Sequence, residues 1–320
     1  MAERLDRRVI MGWRCLVDFS SLVVIAIVVA VLQTVTPFHR GFFCDDQSIV
    51  YPFKKSTVST VVLMIVGVFS PLLLFALGAY RLSFFDSWGS SASRCELNVR
   101  GKQYRVSPCI VHFFHFAFIF ILGGMVNQLI TDVGKVTIGR LRPNFISVCK
   151  PNYTAFNCTD EHGLNRYVLG DFCTGDKSDI EDSRKSWPSG HSSASAYAMV
   201  FAFLYIEYCA IFRRMPAARN LANLVFILFA FCTILSRIDD NKHHWSDVLS
   251  GALIGLGVAL SMFYINFPLR DRSQYLQPTD DDLLPHAMYE RYDGMRHTGS
   301  SDDSLEAGGK PTGASQENAV

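Results

Sequence analysis

Residues 109–133 read CIVHFFHFAFIFILGGMVNQLITDV, 25 positions with no lysine, arginine or glutamate and a single acid, Asp132, next to the end. A run of this length and apolarity crosses a bilayer core of roughly 30 Å as one helix. Five further runs have the same character, at about 16–36, 57–80, 192–212, 221–236 and 247–267. The chain has 320 residues, 49% hydrophobic and 18% charged, with 25 Phe and a mean hydropathy of +0.19. A soluble protein could bury that many rings, so the gathering of apolar residues into six runs decides the class. The expected fold is an all-α integral membrane protein with six transmembrane helices.

The short flanks set an orientation. Arg4, Arg7, Arg8 and Arg14 precede the first run; Arg81, Arg94, Arg100, Lys102 and Arg105 separate the second from the third. Arg213, Arg214 and Arg219 follow the fourth, and Arg270 and Arg272 follow the sixth. The opposite short flanks hold only Arg40, Lys54 and Lys55, then Arg237 and Lys242. Basic flanks stay cytosolic, which puts both termini in the cytosol. The first run is of full length without a small-residue cleavage pattern, so it reads as an anchor. The expected organisation is a cytosolic N-terminus over 1–15, a membrane domain over 16–268 and a cytosolic tail over 269–320. The tail is rich in Asp, Ser, Gly and Gln and buries too little to offset its ordering entropy, so it is expected to be disordered.

This orientation sends the long loop 134–191 outward. Two sequons lie in it, Asn152-Tyr-Thr and Asn157-Cys-Thr, where glycosylation requires that face. Of nine cysteines, Cys149, Cys158 and Cys173 share the loop and Cys44 lies in the other outward loop, enough for two disulfides with three pairings open. Cys15, Cys95, Cys109, Cys209 and Cys232 read as reduced packing residues.

Three clusters then fall on one membrane face. Ser186-Trp-Pro-Ser-Gly-His191 stands at the mouth of the fourth run. Free N–H groups at a helix start, a glycine admitting close approach and a serine hydroxyl together suit an anion, and His191 adds a proton donor or acceptor. By itself this is more economically an interfacial histidine behind a capped helix. Lys135-Val-Thr-Ile-Gly-Arg-Leu-Arg142-Pro143 follows the third run, its Lys135 and Arg142 seven apart and expected on one helical face. Cations at helix ends commonly snorkel, yet positive charge here opposes the flank bias and points to an anionic target. Between the last two runs stands Ser236-Arg237-Ile-Asp-Asp-Asn-Lys-His243-His-Trp-Ser-Asp247. If the last helix begins near His243, Asp247 is expected to accept from His243 Nδ1, leaving Nε2 as a nucleophile. His244 would then point elsewhere, and Asp132 would pair with a cation.

Lys135, Arg142 and Arg237 with Ser189 and Gly190 supply the charge stabilisation that phosphoryl transfer needs, without a metal or other cofactor. The expected cycle has His243 attacking phosphorus while His191 protonates the leaving alkoxide, then activates water.

In order and spacing, Lys135-x6-Arg142-Pro143, Pro188-Ser-Gly-His191 and Ser236-Arg237-x5-His243-x3-Asp247 resemble the three signature motifs of the type 2 phosphatidate phosphatase superfamily. The chain is most similar to its animal lipid phosphate phosphatase (phospholipid phosphatase) branch over roughly residues 10–270. The resemblance implies that Lys135, Arg142, Ser189, Gly190 and Arg237 hold phosphate, that His191 is the acid/base, His243 the nucleophile and Asp247 its orienting partner. It also implies magnesium-independent hydrolysis of phosphatidate, lysophosphatidate, sphingosine 1-phosphate and ceramide 1-phosphate, glycosylation of the outer loop and homo-oligomers. The expected location is the plasma membrane with an extracellular site, or the endoplasmic reticulum, Golgi or endosomes with a luminal one; no nucleic-acid partner is expected.

Rival chemistries leave little trace. No cysteine is followed six positions later by arginine, and neither Arg-His-Gly nor a phosphate-binding P-loop is present. A transporter would carry ionisable groups at mid-membrane, where these runs are almost clean. A non-catalytic lipid-binding or adhesion protein would share the topology but has no need of His191, His243 and Asp247 together, and a soluble phosphomonoester is the alternative substrate.

Overall fold

The computed structural model describes residues 2–86, 95–99, 102–209, 211–212 and 215–267, with side chains described among these except for 2–15, 82–106 and 108. The tail 269–320, Arg213 and Arg214, and the side chains of Cys15, Cys95 and the N-terminal arginines lie outside the described residues.

In chain order the elements are α1 (Ala2–Thr34), β1 (Phe42–Phe43), α2 (Thr60–Asp86), β2 (Cys95–Val99), β3 (Lys102–Val106), α3 (Pro108–Ile138), α4 (Phe145–Cys149), β4 (Tyr167–Val168), α5 (Lys177–Ser183), α6 (Gly190–Cys209), α7 (Pro216–Asp239) and α8 (Trp245–Asn266). The strands form two short antiparallel pairs, β1 with β4 and β2 with β3. Pro108 and Pro216 open α3 and α7, where a missing N–H and a fixed φ cost nothing. Gly139 closes α3 in the left-handed region at φ 55°, and a Cβ there would strike the Phe38 carbonyl.

Helix α6 is the centre of the bundle and packs against α2, α3, α7 and α8. Its second half meets rings from its neighbours: Phe201 and Tyr205 with Phe75, Phe116, Phe120 and Phe263, all buried. Phe116 and Phe267 stack with centroids 4.0 Å apart, and Phe75 meets Tyr205 edge-on at 4.7 Å. The outer faces are apolar too: Leu73, Leu253 and Ile265 are 63%, 57% and 77% exposed, as expected of surfaces turned to lipid.

Five helices among the described residues are long and apolar enough to cross a membrane: Leu16–Thr34, Thr60–Arg81, Cys109–Ile138, Pro216–Asp239 and Trp245–Asn266. The expected fourth run is also a helix, α6, but it does not belong to that set. Its first turns are Gly, His and Ser, tolerated because they face other helices: Ser193 Oγ lies 3.1 Å from Thr131 Oγ1 and 3.3 Å from the donating Asn127 Nδ2.

At the end where α3 and α7 finish and α6 and α8 begin, the long loop folds over a second small core of Phe42, Ile49, Leu141, Phe145, Cys149 and Val168. Of the three pairings open in the sequence, the structure has Cys44–Cys158 and Cys149–Cys173. Asn152 and Asn157 are both exposed beside these bridges. Cys209 is buried and Cys232 exposed on α7, neither in a disulfide.

Candidate active site

The three clusters converge at that end through backbone contacts. A Cβ on Gly190 would lie 3.0 Å from Lys135 Nζ, so the first residue of α6 leaves room for the lysine at the end of α3. Ser189 N–H donates to the Asp247 carbonyl at 3.0 Å, joining the start of α6 to the first turn of α8. Gly251 and Gly255 allow this closeness, since a Cβ on either would strike the Ser189 or Ser193 carbonyl. Trp187 and Pro188 lie against Gly134, with Trp187 Nε1 donating to Ser250 Oγ at 3.0 Å. The His243 N–H donates to the Arg237 carbonyl at 3.2 Å, and Arg142 N–H to the Ser183 carbonyl at 2.9 Å.

Two expectations are corrected. Lys135 and Arg142 do not share a helical face, because Gly139 ends α3 between them and Arg142 lies in the turn before α4. Nor does His243 stand on α8: the helix begins at Trp245, with His244 as its N-cap in a reciprocal box with Asp247. Asp247 Oδ2 therefore takes the His244 N–H at 3.1 Å and faces His244 Nδ1 at 3.2 Å. His243 Nδ1 instead lies 2.7 Å from the Ser186 carbonyl oxygen. A carbonyl only accepts, so Nδ1 carries the proton and the lone pair of the neutral ring is on Nε2. Burial first, then Arg142, holds the His243 imidazole well below its ordinary 6.5, which keeps that lone pair available.

Each cation is tied to a carboxylate. Lys135 Nζ is 3.5 Å from Asp132. Arg142 grips Asp182 with two parallel bonds of 2.5 and 2.9 Å. Arg237 Nη2 donates to Asp240 at 2.6 Å, and Asp240 also takes the Thr57 N–H and hydroxyl at 2.8 and 2.7 Å. Arg237, Lys135 and Arg142 all act electrostatically on His191, and Arg142, Asp247 and Lys135 on His243. His191 Nε2 is buried without a hydrogen-bond partner among the described residues, so a polar atom at the start of α6 is left with its bond unmade.

Sequence reasoning missed several participants. Asp182, Asp240, Arg140 and the Ser186 carbonyl have no motif of their own; Arg140 was visible only as an unassigned cation inside the first cluster. An acid at a fixed distance from a motif arginine is a weak signal, and a backbone carbonyl gives none.

The model of the PAP2 superfamily matches residues 113–271, which hold the three clusters together with α6, α7 and α8. The chain is 34% identical to a protein of Drosophila melanogaster named putative phosphatidate phosphatase, over 77% of this chain and 67% of that one. It is also 34% identical to phospholipid phosphatase 2 of Bos taurus over 84% and 88% of the two chains, and to that of Homo sapiens over 78% and 82%. No solved structure matches the chain. With clusters, fold and relatives in agreement, the chain belongs to the PAP2 superfamily and is a phosphatase, a phosphoric monoester hydrolase set in a bundle of membrane-type helices.

Proposed function

We propose that this protein hydrolyses lipid phosphates, with phosphatidate, lysophosphatidate, sphingosine 1-phosphate and ceramide 1-phosphate as its substrate class, through a phosphohistidine on His243. The observation that carries the reading is the state of His243: a buried neutral ring, its Nδ1 proton committed to the Ser186 carbonyl, beside Arg142 and Lys135. Nε2 attacks phosphorus in line, a P–N bond forms and the P–O bond to the lipid breaks. His191 gives the departing alkoxide its proton. Water then attacks the phosphohistidine, passing a proton to His191 as the P–N bond breaks, and inorganic phosphate leaves.

Lys135, Arg142 and Arg237 hold the phosphoryl oxygens, with Ser189 and Gly190 at the start of α6, and Asp247 steadies the nucleophile's surroundings. The Gly190–Lys135 approach supports this, since an oxygen there meets the ammonium and the N-terminal N–H groups of α6 together. Six spans, α6 among them, put both termini in the cytosol and the site on the extracellular or luminal face, at the depth where a lipid phosphate resides. Asn152 and Asn157 then carry glycans.

The test is phosphate release from phosphatidate and lysophosphatidate in detergent micelles with EDTA, for the wild type and His243→Ala. Release by the wild type that falls at least a thousandfold in the variant is expected, because the nucleophile itself is gone. Equal rates from both proteins overturn the mechanism. Turnover of only water-soluble phosphomonoesters overturns the lipid assignment.

A further inference from the structure

Arg140, the other guanidinium of the first cluster, is bonded to the start of α8. Its Nη1 donates to Asp247 Oδ1 at 2.6 Å and to Ser246 Oγ at 2.8 Å, both on the first turn of α8. Asp247 is fully buried, and its other oxygen accepts from Ser186 Oγ at 2.6 Å. Ser186 in turn donates its N–H to the Arg140 carbonyl at 3.0 Å and offers its own carbonyl to His243 Nδ1 at 2.7 Å. The bonds close a ring, Arg140 to Asp247 to Ser186 and back to Arg140; the His243 imidazole hangs on it at the Ser186 carbonyl, and the N-cap His244 at Asp247 Oδ2.

We propose that Arg140 is a positioning residue for His243: it neutralises Asp247 and, through Ser186, fixes the carbonyl that holds the Nδ1 proton, leaving Nε2 aimed and unprotonated. The proposal rests on reading His243 as the nucleophile. It separates two jobs that one aspartate is expected to perform alone. Asp247 does not touch His243; it anchors Ser186, while the charge that would otherwise draw a proton onto His243 is matched by Arg140.

The sign of the consequence is fixed by the surrounding charges. The charged groups that act on His243 are Lys135 from α3, Arg142 from the turn after it and Asp247 from α8. These are in turn paired or bonded with Asp132, Asp182, Arg140 and the N-cap His244, while Arg237 is paired with Asp240 and, with His191, completes the charged set of the site. Asp247 raises the affinity of His243 for a proton, whereas Arg142 and Lys135 lower it. Removing the Arg140 charge takes away a neighbouring cation and uncovers the Asp247 carboxylate. Both changes favour the imidazolium, which cannot attack phosphorus.

The experiment compares full-length wild type, Arg140→Gln and Arg140→Lys in micelles. Diethylpyrocarbonate acylates only the neutral imidazole, so its rate at His243 against pH, read by fragment mass spectrometry that separates His243 from His244, gives the midpoint without any turnover. The pH profile of kcat/KM is recorded in parallel. In Arg140→Gln the midpoint and the acid limb are expected to move up together by about one unit, with Arg140→Lys shifting less than half as far. An unmoved midpoint in folded Arg140→Gln overturns the proposal, and a raised KM with unmoved midpoint makes Arg140 a phosphate ligand instead. Should Arg140→Gln fail to fold, Ser186→Ala keeps the carbonyl but cuts its tie to Asp247. A fall in kcat of about tenfold at unchanged KM is then expected, and an unchanged kcat overturns the proposal. A shifted midpoint in a protein with no phosphatase activity would sink the functional reading and leave the role of Arg140 standing.

Discussion

Arg142 and Arg237 are held by the same chemistry in opposite surroundings. Each donates to an aspartate at close range, 2.5 Å to Asp182 and 2.6 Å to Asp240. The Asp240 side chain is 3% exposed and bound on its other side by Thr57, whereas that of Asp182 is 62% exposed. One wall of the site, built by the ends of the bundle helices, is therefore a fixed frame. The other, built by the outer loop, holds its arginine with a carboxylate that water already reaches. On the proposed reading, a phosphate, which has the same forked acceptor geometry as a carboxylate, replaces Asp182 on Arg142 without breaking the frame, while at Arg237 it adds to a pair that stays. Cutting the inner pair gives the largest effect. Asp240→Asn leaves a buried guanidinium uncompensated and is expected to lower stability by about 3–5 kcal/mol, seen as a lower midpoint of thermal unfolding in detergent. A midpoint unchanged from wild type would mean that the two walls do not differ.

The bundle wall also depends on backbones in near contact. At Gly251 a Cβ would strike the Ser189 carbonyl, a backbone atom that cannot swing aside, whereas at Gly257 on the same helix it would meet nothing within 4 Å. Gly251→Ala is expected to lower kcat/KM at least tenfold by displacing the turn before α6, because positioning errors near 1 Å cost that much or more. Gly257→Ala is expected to leave activity unchanged and to add up to about 1 kcal/mol of stability. Equal activities for the two variants would show the α6–α8 contact to be soft.

The difference between the walls also explains what could be read in the sequence. The helices were legible because lipid imposes long apolar runs, and the observed α2, α3, α7 and α8 begin and end within six residues of those expected, with α2 running on to Asp86, α3 past Lys135 to Ile138 and α7 starting at Pro216. Helix α6 was legible as a helix, but its Ser and His turns meet other helices, so its composition reports a site as much as a span. His191, Ser189 and Lys135 were legible because a helix end and a fixed spacing sufficed. His243 and Asp247 were legible as participants and misread as a pair, since a start two residues later gave the Asp247 bond to His244. The disulfide pairing, the Ser186 carbonyl and the Arg142–Asp182 contact depend on how the loop folds back on α3, and no local periodicity encodes that path.

The outer wall gives the smallest effect and the sharpest sign. An exposed ion pair contributes less than about 1 kcal/mol, so Asp182→Asn should leave the unfolding midpoint almost unmoved. If Arg142 holds substrate phosphate as proposed, that phosphate competes with Asp182 for the fork, and removing the competitor's charge should lower KM by up to about fivefold at low salt, with kcat little changed. Screening weakens an exposed carboxylate, so the advantage of the variant should shrink as salt is raised from about 0.01 to about 1 M. A KM that rises instead would mean that Asp182 holds Arg142 in its productive direction, making both walls frame. A KM unchanged at every salt concentration would mean that the Asp182 side chain blocks by its shape rather than its charge, because Asp182→Asn removes the charge and leaves an isostere in place.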